Sequence, residues 1–500
     1  TTTPDNSNNA IRLGMVIKVM SISTKCQTKS MPHTEPEKTK ISRNKLCICN
    51  SNLSLYNNST LFCIFVLMRK RLLNILFWSI ISAAFIGPGT IATAAKAGAG
   101  FGFSLLWALV FSTVACIVLQ EAAARLSILS GKSLGNAIAE RFRNKKGGWL
   151  VFVLVIGAVI LGSAAYQTGN LLGAAEGIRI FHDIPTSTLV LAIGGFAFVA
   201  LLFPNLKIIA RLLGFLVVLM GIAFLTTAIL IKPDMGNLIE GAMIPSFPEG
   251  SGLLLLGLVG TTVVPYNLFL GSGIADKKQR LVEMRWGVTV AVVLGGIISM
   301  AVLATGTSVE GAFSFLSLGK VLSNKLGSAA VWLFGFGLFA AGFSSAVTAP
   351  LASAITAKDI FGDRGQPEWQ QKGIYFKLTW MLVLFTGLGF GMAGFKPIPA
   401  IIMAQAFNGF ILPFVSVFLW MAINDKVFVR QKVNSAGGNL LFGLIVWVSL
   451  LLGSWNILRL FVNMGSQTGF VFNLIVILLM GFSLVLTLVI WRWFVKKRRF

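Results

Sequence analysis

The chain has 500 residues, of which 55% are hydrophobic and 12% charged, with a mean hydropathy of +0.81 and a formal charge of +25. A soluble protein carries about 25% charged residues, so a deficit this large excludes a water-soluble fold and puts most of the surface against lipid. In a soluble chain the positive charge would point to nucleic acid, but no DNA- or RNA-binding pattern accompanies it; the bilayer, not a nucleic acid, is the expected partner.

Residues 1–67 are polar and rich in Ser, Thr, Asn and Lys. They read as a disordered extension, or as upstream sequence translated ahead of a start at Met68, where Met68-Arg69-Lys70-Arg71 precedes the first apolar run. Four of the five cysteines (Cys26, Cys47, Cys49, Cys63) lie in this stretch, and Cys47 and Cys49 have no second pair at zinc spacing. Only Cys116 lies farther on, so no disulfide framework is expected in the rest.

Beyond Met68 an all-α integral membrane protein of about twelve spans is expected, because a crossing needs about 20 apolar residues. The runs are 73–97, 103–126, 149–173, 186–203, 211–231, 251–273, 287–306, 327–355, 374–394, 398–423, 439–458 and 469–494. With the N-terminus inside, the cytoplasmic segments hold 27 Lys and Arg and the outer ones hold 7. That bias predicts both termini in the cytoplasm, and a bacterial inner membrane is the plain expectation.

Span one contains Ile86-Gly87-Pro88-Gly89-Thr90, and span six contains Gly260-Thr261-Thr262-Val263-Val264-Pro265-Tyr266-Asn267. Proline lacks the N–H and clashes with the preceding turn, while glycine tolerates unwound backbone. Bare backbone groups in hydrocarbon cost several kcal/mol each, so such breaks are expected to line a buried cavity. Two of them, in the first and sixth spans, predict two five-span repeats of opposite topology. These run over 68–232 and 233–424, with two further spans and the C-terminus in 425–500.

These residues are similar to a known family. Gly87-Pro88-Gly89-Thr90-Ile91-Ala92-Thr93 with Gly98, Leu105-Leu106-Trp107 and Leu119-Gln120-Glu121-Ala122-Ala123-Ala124-Arg125-Leu126 resemble the first two helices of the NRAMP family of proton-coupled divalent metal transporters. Val264-Pro265-Tyr266-Asn267 resembles its Met-Pro-His-Asn segment, and Ala404-Gln405 with Pro413 its tenth helix. The resemblance covers about residues 72–423. It implies the five-plus-five inverted-repeat (LeuT-type) fold of sodium-coupled amino-acid transporters, with spans 1, 2, 6 and 7 rocking against 3, 4, 8 and 9.

The resemblance also implies a site: the carbonyls of Ala84 and Thr261, the Gln405 side chain, and positions Gly87, Thr90, Val264, Tyr266 and Asn267. Gly87 stands where the family has aspartate, Thr90 where it has asparagine, Val264 for the metal-binding methionine and Tyr266 for the histidine. Gln167 and Asn170 stand where helix three carries acidic residues for proton movement, and Asn408 completes a polar pathway. Thr90 and Gln405 are the candidate metal donors among the side chains.

Without reference to any family, the seventeen acidic residues all fall in tails, loops or helix ends. A bare divalent cation needs countercharge or a rich set of oxygens. Three readings follow. The first is a carrier of Mg²⁺ or Mn²⁺, since hard oxygens without sulfur disfavour softer metals. The second is a carrier of a small neutral, zwitterionic or anionic solute held at half-helix N-termini. The third is a sensor or scaffold that does not transport. No Ser-His-Asp set, phosphate loop or cofactor motif points to an enzyme, and the two histidines, His33 and His182, have no candidate partners.

Overall fold

The computed structural model describes residues 86–203, 207–275, 279–362, 366–429, 433–461 and 470–498, all within one unit, Asn74–Phe500. The extension 1–67, the repeat boundary at 68 and Ala84 lie outside the described residues. All regular elements among the described residues are helical.

Nine described helices are long and apolar enough to cross a membrane: Leu106–Ser130, Gly148–Arg179, Leu212–Ile231, Gly252–Gly273, Leu281–Gly306, Ala329–Phe361, Pro367–Met392, Pro397–Asn424 and Ala436–Asn456. Thr186–Leu202 and Leu478–Arg492 are shorter apolar helices. In chain order these are spans two to twelve, and Pro88–Phe101 is the described part of span one.

Burial separates the central helices from those facing lipid. Span six has 94% of its apolar stretch buried, against 33% for span five. Both are strongly apolar, so composition alone does not rank them. Span six reaches the centre because Gly260 and Gly409 let it press backbone to backbone on span ten: a Cβ on Gly260 would overlap the Gln405 carbonyl and the Gly409 nitrogen. Small residues are how membrane helices approach closely without a hydrophobic driving force between them.

Three segments between the spans contain short helices: Leu134–Phe142, Met235–Met243 and Phe315–Leu326. Each has a side-chain cap. Ser133 Oγ accepts from Asn136 N at 3.2 Å, Asp234 Oδ1 from Gly236 N at 2.9 Å, and Ser314 forms a capping box with Ser317.

A polar chain joins spans two, seven, ten and eleven. Glu121 accepts from Arg125 Nε at 3.2 Å and from Arg285 Nε at 2.8 Å, and Arg125 Nη2 donates to Asn434 Oδ1 at 2.9 Å. Asn439 Oδ1 then accepts from Trp420 Nε1, Asn424 Nδ2 and Asn434 Nδ2 at 2.8, 2.9 and 3.1 Å. Buried hydrogen bonds to a charged group contribute about 1.5–3 kcal/mol. Arg125→Ala is therefore expected to destabilise the detergent-solubilised protein by an amount of that order, read as a lowered unfolding midpoint, with Arg125→Lys recovering part of it. A midpoint equal to wild type would mean that the chain contributes nothing to stability.

Candidate functional site

The described helix of span one begins at a proline, and span six restarts at one after an interruption. The Pro88–Phe101 helix follows Gly87, whose backbone is extended (φ −109°, ψ −177°). In span six the helix Gly252–Thr262 ends, Val263 and Val264 are non-helical (φ/ψ −103°/79° and −81°/121°), and Pro265–Ile274 begins. Proline alone does not cause this, because Pro350 and Pro413 sit inside the unbroken helices Ala329–Phe361 and Pro397–Asn424. The breaks add flanking glycines in span one and a Val-Val pair in span six, β-branched residues that suit extended backbone.

Proline chemistry also selects the donors. A helical N–H bonds the carbonyl four residues earlier, and proline has none to give. Pro265 therefore leaves the Thr261 carbonyl without a ladder donor. Thr261 is one of the two carbonyls the resemblance implies as ligands; the other, Ala84, lies outside the described residues. Pro350 has the same effect on Ala346, but there Gln167 Nε2 donates to the Ala346 carbonyl at 2.9 Å.

Around the breaks the side chains converge. Thr90 Oγ1 and Thr261 Oγ1 share a hydrogen bond of 2.8 Å across the two half-helices. Gln405 lies over Gly89, where a Cβ would overlap its amide. Its Oε1 is buried with no hydrogen-bond partner, as are both amide atoms of Asn267 and of Asn408. Asn408 Oδ1 lies 3.1 Å from where a Gly162 Cβ would be, directly after the π-helical turn Gly157–Leu161 of span three. Such turns recur at functional sites. Buried polar atoms are normally paired, so this concentration of orphans beside two helix breaks marks a place built to bind something polar.

Tyr266 is fully buried and packs edge to face on Tyr166 of span three, with ring centroids 5.4 Å apart at 70°. Tyr166 escaped the sequence reading. The signal available was rarity: the chain has four tyrosines, and two of them meet here. Val264 is buried at the break and offers a methyl surface. Gln167 is turned toward span eight by its bond to Ala346. The backbone of Asn170 touches the same span at Gly342, and its Nδ2 is buried without a partner. Among the described residues no three His, Cys, Asp or Glu side chains cluster.

The profile of the "Natural resistance-associated macrophage protein-like" (Nramp) family matches residues 79–459. The chain belongs to this family. NRAMP relatives include the "Divalent metal cation transporter MntH" of Yersinia pestis, 26% identical over 409 residues, which cover 79% of this chain and 97% of that one. The protein of the same name from Klebsiella pneumoniae is 25% identical over 386 residues, 74% of this chain and 90% of its own. Among solved structures, the Eremococcus coleocola manganese transporter in complex with an aromatic bis-isothiourea substituted compound superposes with a TM-score of 0.61 at 20% identity, covering 89% of this chain and 97% of that one. Mhp1, a nucleobase-cation-symport-1 family transporter, superposes at 0.51 with 16% identity, covering 85% and 93%. The NRAMP chain thus has the LeuT-type inverted-repeat architecture expected from its two breaks, and it is a multi-pass membrane protein.

Proposed function

We propose that this protein carries a divalent cation of the Mg²⁺ or Mn²⁺ type by alternating access, with the cargo held between the breaks at Gly87 and Val264. One observation carries the reading: the orphaned Gln405 Oε1 lies over Gly89, near the Thr90–Thr261 pair, in a chain whose relatives are named divalent metal cation transporters. The remaining donors are the Ala84 and Thr261 carbonyls and the amide oxygens of Asn267 and Asn408. All are hard, neutral oxygens, a set that suits Mg²⁺ or Mn²⁺ over softer metals. With no carboxylate to replace hydration, the cation keeps part of its water shell. The charge bias supports an orientation with both termini cytoplasmic.

A second reading has its own support. The N-termini of Pro88–Phe101 and Pro265–Ile274 both open at the breaks, and helix N-termini attract anionic groups such as a solute carboxylate. Uptake into proteoliposomes with Mg²⁺, Mn²⁺, Ca²⁺, Fe²⁺ and a set of amino acids separates the two. Accumulation of Mg²⁺ or Mn²⁺ is expected; amino-acid uptake with every metal silent would replace the first reading by the second.

Proton coupling is expected to be lost. The sequence places no carboxylate or histidine in mid-span, so no group there changes charge near neutral pH. Cation uptake should proceed without acidifying the vesicle lumen and at a rate nearly independent of pH across the neutral range. A robust substrate-driven proton influx, read with an internal pH dye, would contradict this.

A further inference from the structure

We infer that Tyr166 of span three determines cargo specificity: its hydroxyl occupies the space in front of Gly87 and presents a neutral oxygen there. This deepens the cation reading above and rests on it. The backbone of Gly87 is extended, a conformation that any residue adopts, so its dihedrals do not require glycine. What limits position 87 is the space in front of it. A Cβ there would stand 3.4 Å from Tyr166 Oη and 3.5 Å from Ser345 Oγ. That is ordinary contact for one carbon, and the two hydroxyls crowd the space into which a longer side chain would extend. The absence of a side chain at 87 and the presence of a tyrosine at 166 are thus one arrangement.

Tyr166 is held rigidly. It is fully buried, and its ring packs edge to face on Tyr266, the second residue of the helix that restarts after the span-six break. The same face of span three continues along the site. Gly169 lies 3.8 Å, measured from a Cβ position, from Gln405 Nε2, and at Gly173 a Cβ would overlap the Pro88 ring. Residues 166, 169 and 173 follow helical spacing, so one ridge of span three runs past the first break and Gln405. Tyr166 bridges the two breaks: its hydroxyl stands at Gly87 and its ring fixes Tyr266.

The chemistry differs from that of a carboxylate in one respect. A carboxylate displaces water from a cation and binds it directly, whereas a phenol hydroxyl donates and accepts single hydrogen bonds and so holds a hydration shell in place. Mg²⁺ dehydrates reluctantly, and a site that retains water favours it. The hydroxyl therefore tilts the site toward Mg²⁺ relative to Mn²⁺.

The test is Tyr166→Phe in proteoliposomes, with Mg²⁺ and Mn²⁺ as separate cargoes. Phenylalanine keeps the ring and its packing on Tyr266, so the protein should still fold and accumulate, and its yield and thermal stability are measured beside transport. Loss of the hydroxyl is expected to raise the KM for Mg²⁺ about three- to tenfold, the value of one neutral hydrogen bond, with a smaller rise for Mn²⁺ and little change in maximal rate. If Tyr166 only fills space, Tyr166→Phe will leave both KM values and their ratio at wild type. That result overturns the inference, as does a drop in maximal rate alone. If wild type carries neither ion, the cation reading falls and the inference with it. If wild type carries them and the variant keeps its KM values, only the role of Tyr166 falls.

Discussion

Replacing Gln405 by alanine is expected to raise the KM for Mg²⁺ or Mn²⁺ by roughly ten- to a hundredfold while the protein still folds. The side-chain oxygen is buried with no partner in the chain, so its removal breaks no hydrogen bond within the fold. It does remove an oxygen that would ligate the cation or accept a hydrogen bond from its bound water, and a hydrogen bond to a charged group contributes about 1.5–3 kcal/mol. Gln405→Glu makes the complementary case. It restores the oxygen and adds a charge that titrates, so binding should tighten and uptake should become pH-dependent, falling as pH drops and the carboxylate takes up a proton. Concentration-dependent uptake of each cation reads both variants. A wild-type KM for Gln405→Ala would remove this residue from the site and with it the main support for the cation reading.

Gly260→Ala should be the more damaging change for the fold. Its methyl group would land on the Gln405 carbonyl and the Gly409 nitrogen, which are backbone atoms of span ten. A side chain in the way could rotate aside; backbone cannot. Overpacking typically costs about 1–3 kcal/mol, and contact with backbone on both sides puts this case at the upper end or beyond. Spans six and ten would have to separate, moving Thr261 away from Thr90. The expected result is poor accumulation in the membrane, or a clearly lowered unfolding midpoint with transport lost. Normal yield and normal transport would show that the two spans do not pack as described.

Much of this protein could be read from the chain. The spans follow from apolar length, and the break in span six follows from Pro265, whose missing N–H and preceding Val-Val pair cannot continue a helix. In span one, glycine-proline-glycine is also compatible with a kink in a continuous helix. The structure shows its helix starting at Pro88 out of extended backbone. The short capped helices between spans were missed because they are amphipathic and brief, and their cap residues Ser133, Asp234 and Ser314 were the available signal. Gln167 was assigned to the pathway from its place in the family pattern. Its bond to Ala346 gives it a structural task, supplying the donor that Pro350 lacks.

The chain by itself determined a lipid-embedded helical fold and two interrupted helices, because each depends on residue type and local spacing. Only the folded structure decided which groups meet. Thr90 and Thr261 bond across 171 positions, and Arg125 reaches Asn434 across 309. Tyr166 comes to rest in front of Gly87. Such meetings depend on how each helix is rotated about its axis, and that rotation is set by where glycines let backbones touch.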